Sequence, residues 1–164
     1  MKRRNHAEFI VQGAAIAALY VVLTLLSNIF GLASGVVQVR ISEALTVLPF
    51  FTFAAVPGLF VGCVISNLLA GSAVWDVIFG SIATLIGAAG TYLLRKKTKW
   101  LAPLPPIAAN TIIVPFILAF VYGAEESIPF LMLTVGAGEI ISCGALGLIL
   151  LKALEKRGKD IFGQ

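Results

Sequence analysis

Val39-Arg40-Ile41-Ser42-Glu43 runs straight into Ala44-Leu45-Thr46-Val47-Leu48-Pro49-Phe50-Phe51, and the reading of this stretch decides the fold. Most charges elsewhere stand at the ends of long apolar runs. Here an arginine and a glutamate, three residues apart, open such a run. On a helix that spacing puts both side chains on one face, within pairing distance. Ionisable groups at hydrocarbon depth are costly, so they usually face a bundle interior or a water-filled site. Two readings are open at this point: an ion pair marking where lipid begins, or one wall of a polar site. Asp76 and Glu139 tip the balance toward the second.

Working outward, composition sets the class. The chain has 164 residues, of which 59% are hydrophobic and 12% are Asp, Glu, Lys or Arg; its mean hydropathy is +1.01. Soluble globular domains carry roughly 25% charged residues. A water-facing surface cannot be built from so few, and an all-α integral membrane protein with a single membrane domain over residues 1–164 is expected. The basic start Met1-Lys2-Arg3-Arg4 is followed by an apolar run from about Phe9 to Phe30. That run is longer than the roughly 7–15 residues of a signal-peptide core, so it is expected to be a first span. Cys63 and Cys143 both lie inside apolar segments, there is no CxxC, and the one histidine, His6, sits in the basic tail. Disulfide and metal readings have little support from that pattern.

Five apolar runs are plain, and the stretch 40–71 needs an argument. As one helix it would reach about 48 Å, too long for a single crossing without strong tilt. It contains Ala55-Val56-Pro57-Gly58, a sequence able to reverse the chain. Basic clusters stand at Lys2-Arg3-Arg4, at Arg95-Lys96-Lys97 with Lys99, and at Lys152 with Lys156-Arg157 and Lys159. Short basic loops stay cytoplasmic. Two crossings within 40–71 place all three clusters on one side; one crossing would split them. Six transmembrane helices are therefore expected, at about 9–30, 40–54, 57–71, 75–94, 104–122 and 128–151, with both termini cytoplasmic. Arg40 is then the one basic residue outside, while Glu43, Asp76, Glu125, Glu126 and Glu139 fall in the outer half. That excess of acids would attract a cationic or donor-rich solute.

The candidate site residues follow from this topology. Asn67 ends the third span, Trp75-Asp76 opens the fourth across Gly71-Ser72-Ala73-Val74, and Tyr122 closes the fifth. Glu139 lies about eleven residues into the sixth, with Gly136, Cys143 and Gly147 on roughly its face, and is the strongest functional candidate. Trp75 reads equally as a stacking ring or as an interfacial belt residue. Asn110 reads as a packing contact or as a ligand contact, and Glu125 and Glu126 as a solvated loop. Carboxylates accept hydrogen bonds, amides both donate and accept, and aromatic rings stack. The set suits a flat, polar heterocycle bearing N–H donors, with room for an amine. In span one, Gly13-x-x-x-Ala17 and Ala14-x-x-x-Ala18 give small-residue strips, read either as internal packing or as the seat of a helical partner. Gly80, Thr84 and Ala88 read as an internal packing face.

Arg40-Ile41-Ser42-Glu43-Ala44-Leu45, Asn67-Leu68-Leu69-Ala70-Gly71 and Trp75-Asp76-Val77-Ile78-Phe79-Gly80-Ser81-Ile82-Ala83-Thr84-Leu85 resemble the QueT family. These are substrate-binding S components of energy-coupling-factor (ECF) transporters for queuosine precursors. The resemblance covers nearly the whole chain. It implies an ECF S-component bundle that captures a 7-deazaguanine base (the aminomethyl or cyano precursor) or queuine at the outer side. It further implies an EcfT-like membrane coupling subunit, contacted through Ala14 and Ala18, and two cytoplasmic EcfA-like ATPases. On this footing Glu139 or Asp76 accepts the N–H pair of the guanine-like edge, Asn67, Glu43 and Arg40 complete a polar wall, and Trp75 or Tyr122 stacks.

The alternatives are an S component for another vitamin or nucleobase, and a small stand-alone oligomeric channel or transporter. An intramembrane enzyme lacks support, since the spans carry no histidine and no nucleophile motif. The chain also lacks a phosphate-cradling glycine loop with lysine. No cofactor is expected in this chain; ATP and Mg belong to the partner subunits, and no nucleic acid is expected to bind.

Overall fold

Twenty-four residues from His6 to Ile29 form the first helix, α1, about 36 Å long at the usual rise and so able to cross a bilayer core. The computed structural model describes residues 6–33 and 37–155. The basic clusters at 2–4 and 156–159 lie outside them. Among the described residues the chain is all-helical. Beyond α1 come α2 (Ala55–Leu69), α3 (Val74–Leu94), α4 (Leu104–Phe120), α5 (Ile128–Glu139) and α6 (Gly147–Glu155), with a 3-10 helix at Ile41–Phe50 and a short 3-10 turn at Lys99–Leu101. A π-helical stretch, Ile140–Leu146, joins α5 to α6 without a break. Four helical stretches are long and apolar enough to cross a membrane: His6–Ile29, Val74–Leu94, Lys99–Phe120 and Ile128–Glu155. The protein is a multi-pass membrane protein.

The stretch around Glu43 is where the structure departs from expectation. The sequence predicted a regular span over 40–54, opened by a one-faced Arg40–Glu43 pair. Arg40 instead precedes the helix in extended conformation, and ten residues from Ile41 form a 3-10 helix whose positions Ser42 to Pro49 are all buried. Runs of 3-10 helix beyond three or four residues are uncommon. Hydroxyl groups hold this one at its start. The Ile41 N–H donates to Ser27 Oγ at 2.9 Å and the Arg40 N–H to Ser142 Oγ at 3.2 Å. Thr24 Oγ1 lies 2.8 Å from Ser42 Oγ. Neighbouring helices thus satisfy N–H groups that a helix start leaves without partners.

The 3-10 helix runs antiparallel to α1. It starts beside Ser27, and the chain beyond it reaches Gln12, whose Oε1 accepts from Thr52 Oγ1 at 3.1 Å. It therefore descends through about 22 Å of the length of α1, a second pass within 40–71. The reversal falls at residues 51–54. Ala55-Val56-Pro57-Gly58, expected to be the turn, instead opens α2, where a proline in the first turn forfeits no helical hydrogen bond.

α2 then runs parallel to α1, and the contact is backbone against backbone. A methyl group at Gly58 would lie 2.6 Å from the Gly13 carbonyl oxygen, and one at Gly62 would lie 3.0 Å from that of Ala17. Gly13 and Ala17 are thereby used inside the protein. Ala14 and Ala18 are exposed on the other side of α1.

At one end of the bundle Phe9 stacks on Phe53, Phe53 meets Tyr92 with its ring tilted by 59°, and Arg95 lies 3.8 Å from the centre of the Tyr92 ring. Lys99 pairs with Glu155 at 2.9 Å at the same end. The starts of α1 and α2 and the ends of α3 and α6 therefore meet. At the opposite end lie Asn67, Asp76, Tyr122 and the loop bearing Glu125 and Glu126. Between the ends the core gathers Tyr20, Val47, Leu48, Leu59, Cys63 and Leu151 around the 3-10 helix.

Candidate functional site

The polar end of the bundle opens into a cavity of about 530 Å³ lined by Thr24, Asn28, Gln38, Arg40, Asn67, Ser72, Asp76 and Tyr122, among others. Beneath it is a second chamber of about 30 Å³, lined by Glu43, Gly80, Thr84, Asn110 and Glu139. Gln38, Arg40 and Asp76 border both spaces. The upper cavity is large enough for a planar base; the lower one holds a single water-sized group.

Asp76 stands in the first turn of α3, where the helix dipole favours an acid. The Tyr122 hydroxyl donates to its Oδ2 at 2.8 Å and accepts from the Ala73 N–H at 3.1 Å. Tyr122 lies just beyond α4, and this bond draws the end of that helix over the start of α3. Burial raises the Tyr122 phenol above the ordinary tyrosine value, the bond to Asp76 adding to the rise. Asn67, 2% exposed near the end of α2, faces the same cavity, with its Nδ2 3.6 Å from Cys63 Sγ.

The lower chamber is built from three elements. Glu43, on the 3-10 helix, is 2% exposed and accepts from the Tyr20 hydroxyl through Oε1, while its Oε2 has no hydrogen-bond partner. Glu139 ends α5 at the junction with the π-helical stretch, and its Oε2 lies 3.0 Å from Cys143 Sγ. Asn110, on α4, sets its amide against both carboxyl groups. The wider winding after Glu139 lets Gly147 seat against Val47 and Ala44 of the 3-10 helix. Such π segments recur at functional sites. The ligating atoms of Glu43, Glu139 and Cys143 lie within 4.8 Å of one another, so the set could also reach one metal ion.

The structure therefore brings Arg40, Glu43, Asn67, Asp76, Asn110, Tyr122 and Glu139 together around two adjoining spaces. Trp75 is the exception. It is 57% exposed, stacks on Phe79 with ring centroids 6.0 Å apart, and borders an apolar groove on the outside of α3 and α4. Its neighbour Asp76 takes the inward face, and adjacent helix positions cannot both do so. The direct Arg40–Glu43 pair is also absent, since Glu43 takes Tyr20 instead; among the described residues the ion pair present is Lys99–Glu155.

Sequence reasoning missed Gln38, which sits in a loop with no motif, and Tyr20, buried in an alanine-rich span. Gly80 and Thr84, expected to be packing only, line the lower chamber. The hydroxyl series Thr24, Ser27, Ser42 and Thr46 was the available signal, because buried hydroxyls in apolar spans need partners.

A sequence profile described as the QueT transporter matches residues 10–156. Over 78 residues the chain is 41% identical to the queuosine precursor transporter QueT of Lactococcus lactis subsp. cremoris. That alignment spans 47% of this chain and 45% of the relative, so less than half of the relative is covered. No solved structure matches.

Proposed function

The chain belongs to the QueT transporter family, and from that premise we propose that it takes up a queuosine precursor by binding a planar 7-deazaguanine base in the cavity between Arg40, Asn67, Asp76 and Tyr122. The observation that carries this reading is the convergence of Glu43, Asp76 and Glu139, from three separate elements, on two adjoining spaces. In the bound state Asp76 accepts the two adjacent N–H groups of the guanine-like edge, a pairing stronger than a neutral hydrogen bond. Asn67 supplies one donor and one acceptor, and Tyr122 a ring edge. Trp75, turned outward, is given no part in binding.

In this reading the chain is a transport subunit and not an enzyme. All six passes cross the membrane with both termini cytoplasmic, and the polar cavity opens outward. It acts as the S component of an ECF importer; an EcfT-like coupling subunit seats on the exposed Ala14 and Ala18, and ATP and Mg are bound by two EcfA-like subunits. A carrier is supported over a channel because the space narrows at the lower chamber, below which Val47, Leu48, Leu59 and Leu151 are buried in close packing.

The test is calorimetric titration of the isolated protein in detergent with 7-deazaguanine bases. Stoichiometric, tight binding without partners or ATP is expected, and Asp76→Asn should weaken it by about tenfold or more. Absence of binding by the intact protein would overturn the reading.

A further inference from the structure

Resting on that base-binding reading, we propose that the lower chamber receives a pendant primary ammonium group of the solute, so that the protein selects an aminomethyl-bearing base over its neutral nitrile counterpart.

Charge gives the first reason. Arg40 is the one basic side chain among those lining the two spaces, against three carboxyl groups, Glu43, Asp76 and Glu139. Burying unmatched carboxylate charge is expensive, and a bound cation would offset that cost. Geometry gives the second. Glu43 Oε2 is buried, borders the chamber and has no hydrogen-bond partner. Apart from the Asn110 amide set against this carboxyl, such an acceptor loses its hydration without a close donor, and a bound donor completes it. Size gives the third. A chamber of about 30 Å³, against about 530 Å³ for the cavity above it, suits a compact substituent better than a ring. An ammonium is compact and carries three donors. Glu43 Oε2 and the Glu139 carboxyl are the acceptors available to them. A nitrile has no donor, and its negative end would face the two carboxyl groups. The upper cavity meanwhile holds the ring, and Asp76, which borders both spaces, stands where ring and substituent join.

The test titrates the intact protein in detergent with 7-aminomethyl-7-deazaguanine and with 7-cyano-7-deazaguanine, each in sodium-free buffer and again with added Na⁺, Mg²⁺ or Zn²⁺. The expected result is an amine affinity about a hundredfold or more above that of the nitrile, as charge-assisted hydrogen bonds imply. That ratio should collapse toward unity in Glu43→Gln and in Glu139→Gln. Equal affinity for the two bases in the native protein would overturn the ammonium assignment while leaving base binding intact. So would an added inorganic ion that raises the nitrile to the level of the amine, because the chamber would then hold a free ion. Binding of neither base would instead overturn the reading on which the inference rests. The native comparison decides the matter even where a variant fails to fold.

Discussion

The hydroxyl of Tyr20, on α1, donates to the carboxyl of Glu43, on the 3-10 helix, and both side chains are almost fully buried. This one bond joins the scaffold to the site. It fixes the rotation of the Glu43 carboxyl, so that one oxygen is occupied and the other is presented to the lower chamber. It also ties the central 3-10 helix to the first transmembrane helix midway between Ser27 and Gln12.

Removing the Tyr20 hydroxyl should therefore cost stability. Tyr20→Phe keeps the ring in the core but leaves a buried carboxyl oxygen without its donor, a loss of about 1–3 kcal/mol. Thermal unfolding in detergent measures it. An unchanged midpoint would mean that water or a neighbouring side chain takes over the bond.

The second prediction concerns Asp76 and Tyr122. Asp76→Asn replaces an acceptor pair by a mixed donor–acceptor, so base affinity should fall about tenfold or more. Tyr122→Phe keeps the carboxylate and removes its 2.8 Å donor together with the acceptor of the Ala73 N–H, so a smaller loss of a fewfold is expected. Titration calorimetry on both variants gives the order, and a larger effect at Tyr122 would show that the hydroxyl and not the acid dominates.

Gly138 packs directly on the backbone of Gln38, and any Cβ there would collide with the Gln38 carbonyl oxygen. Gln38 and Arg40 border both spaces, so Gly138→Ala should displace that wall and lower base affinity by about tenfold through misplaced polar contacts. Gly136→Ala is the control, since its Cβ would meet Thr111 at an ordinary 3.4 Å. Equal affinities in the two variants would exclude Gln38 from the wall.

The two small-residue strips of α1 should separate by experiment. Gly58→Ala forces a methyl group to within 2.6 Å of the Gly13 carbonyl, and overpacking of this kind costs about 1–3 kcal/mol. Ala14→Leu lies on the exposed side of the helix and should leave the unfolding midpoint and base binding alone while abolishing copurification with the coupling subunit and uptake. A variant that still copurifies would remove Ala14 from the partner surface.

Much of this was legible in the residues. The long apolar helices α1, α3, α4 and the last one follow from hydropathy, and among the described residues Arg95 and Lys99 stand at one end. Glu43, Asp76 and Glu139 stood out because an acid in an apolar run is costly wherever it points, and the structure sets them around two adjoining spaces. Trp75 read equally as a stacking ring or a belt residue because an aromatic ring at a helix start carries no such penalty on either side, and the structure turns it outward. The 3-10 winding of residues 41–50 was hidden for a different reason. It is held by hydroxyls of Ser27 and Ser142, far away in the chain, and no local propensity records them.

The residues by themselves were enough for the solvent, the apolar runs and the segments that carry the family likeness, all of which depend on residue type at a given place along the chain. Only the tertiary structure decided which side of each helix turns inward. Spans that are apolar on every side leave no periodic stripe to read, and in lipid the inward face is chosen by close packing such as Gly58 on Gly13 and by hydrogen bonds such as Tyr20 to Glu43.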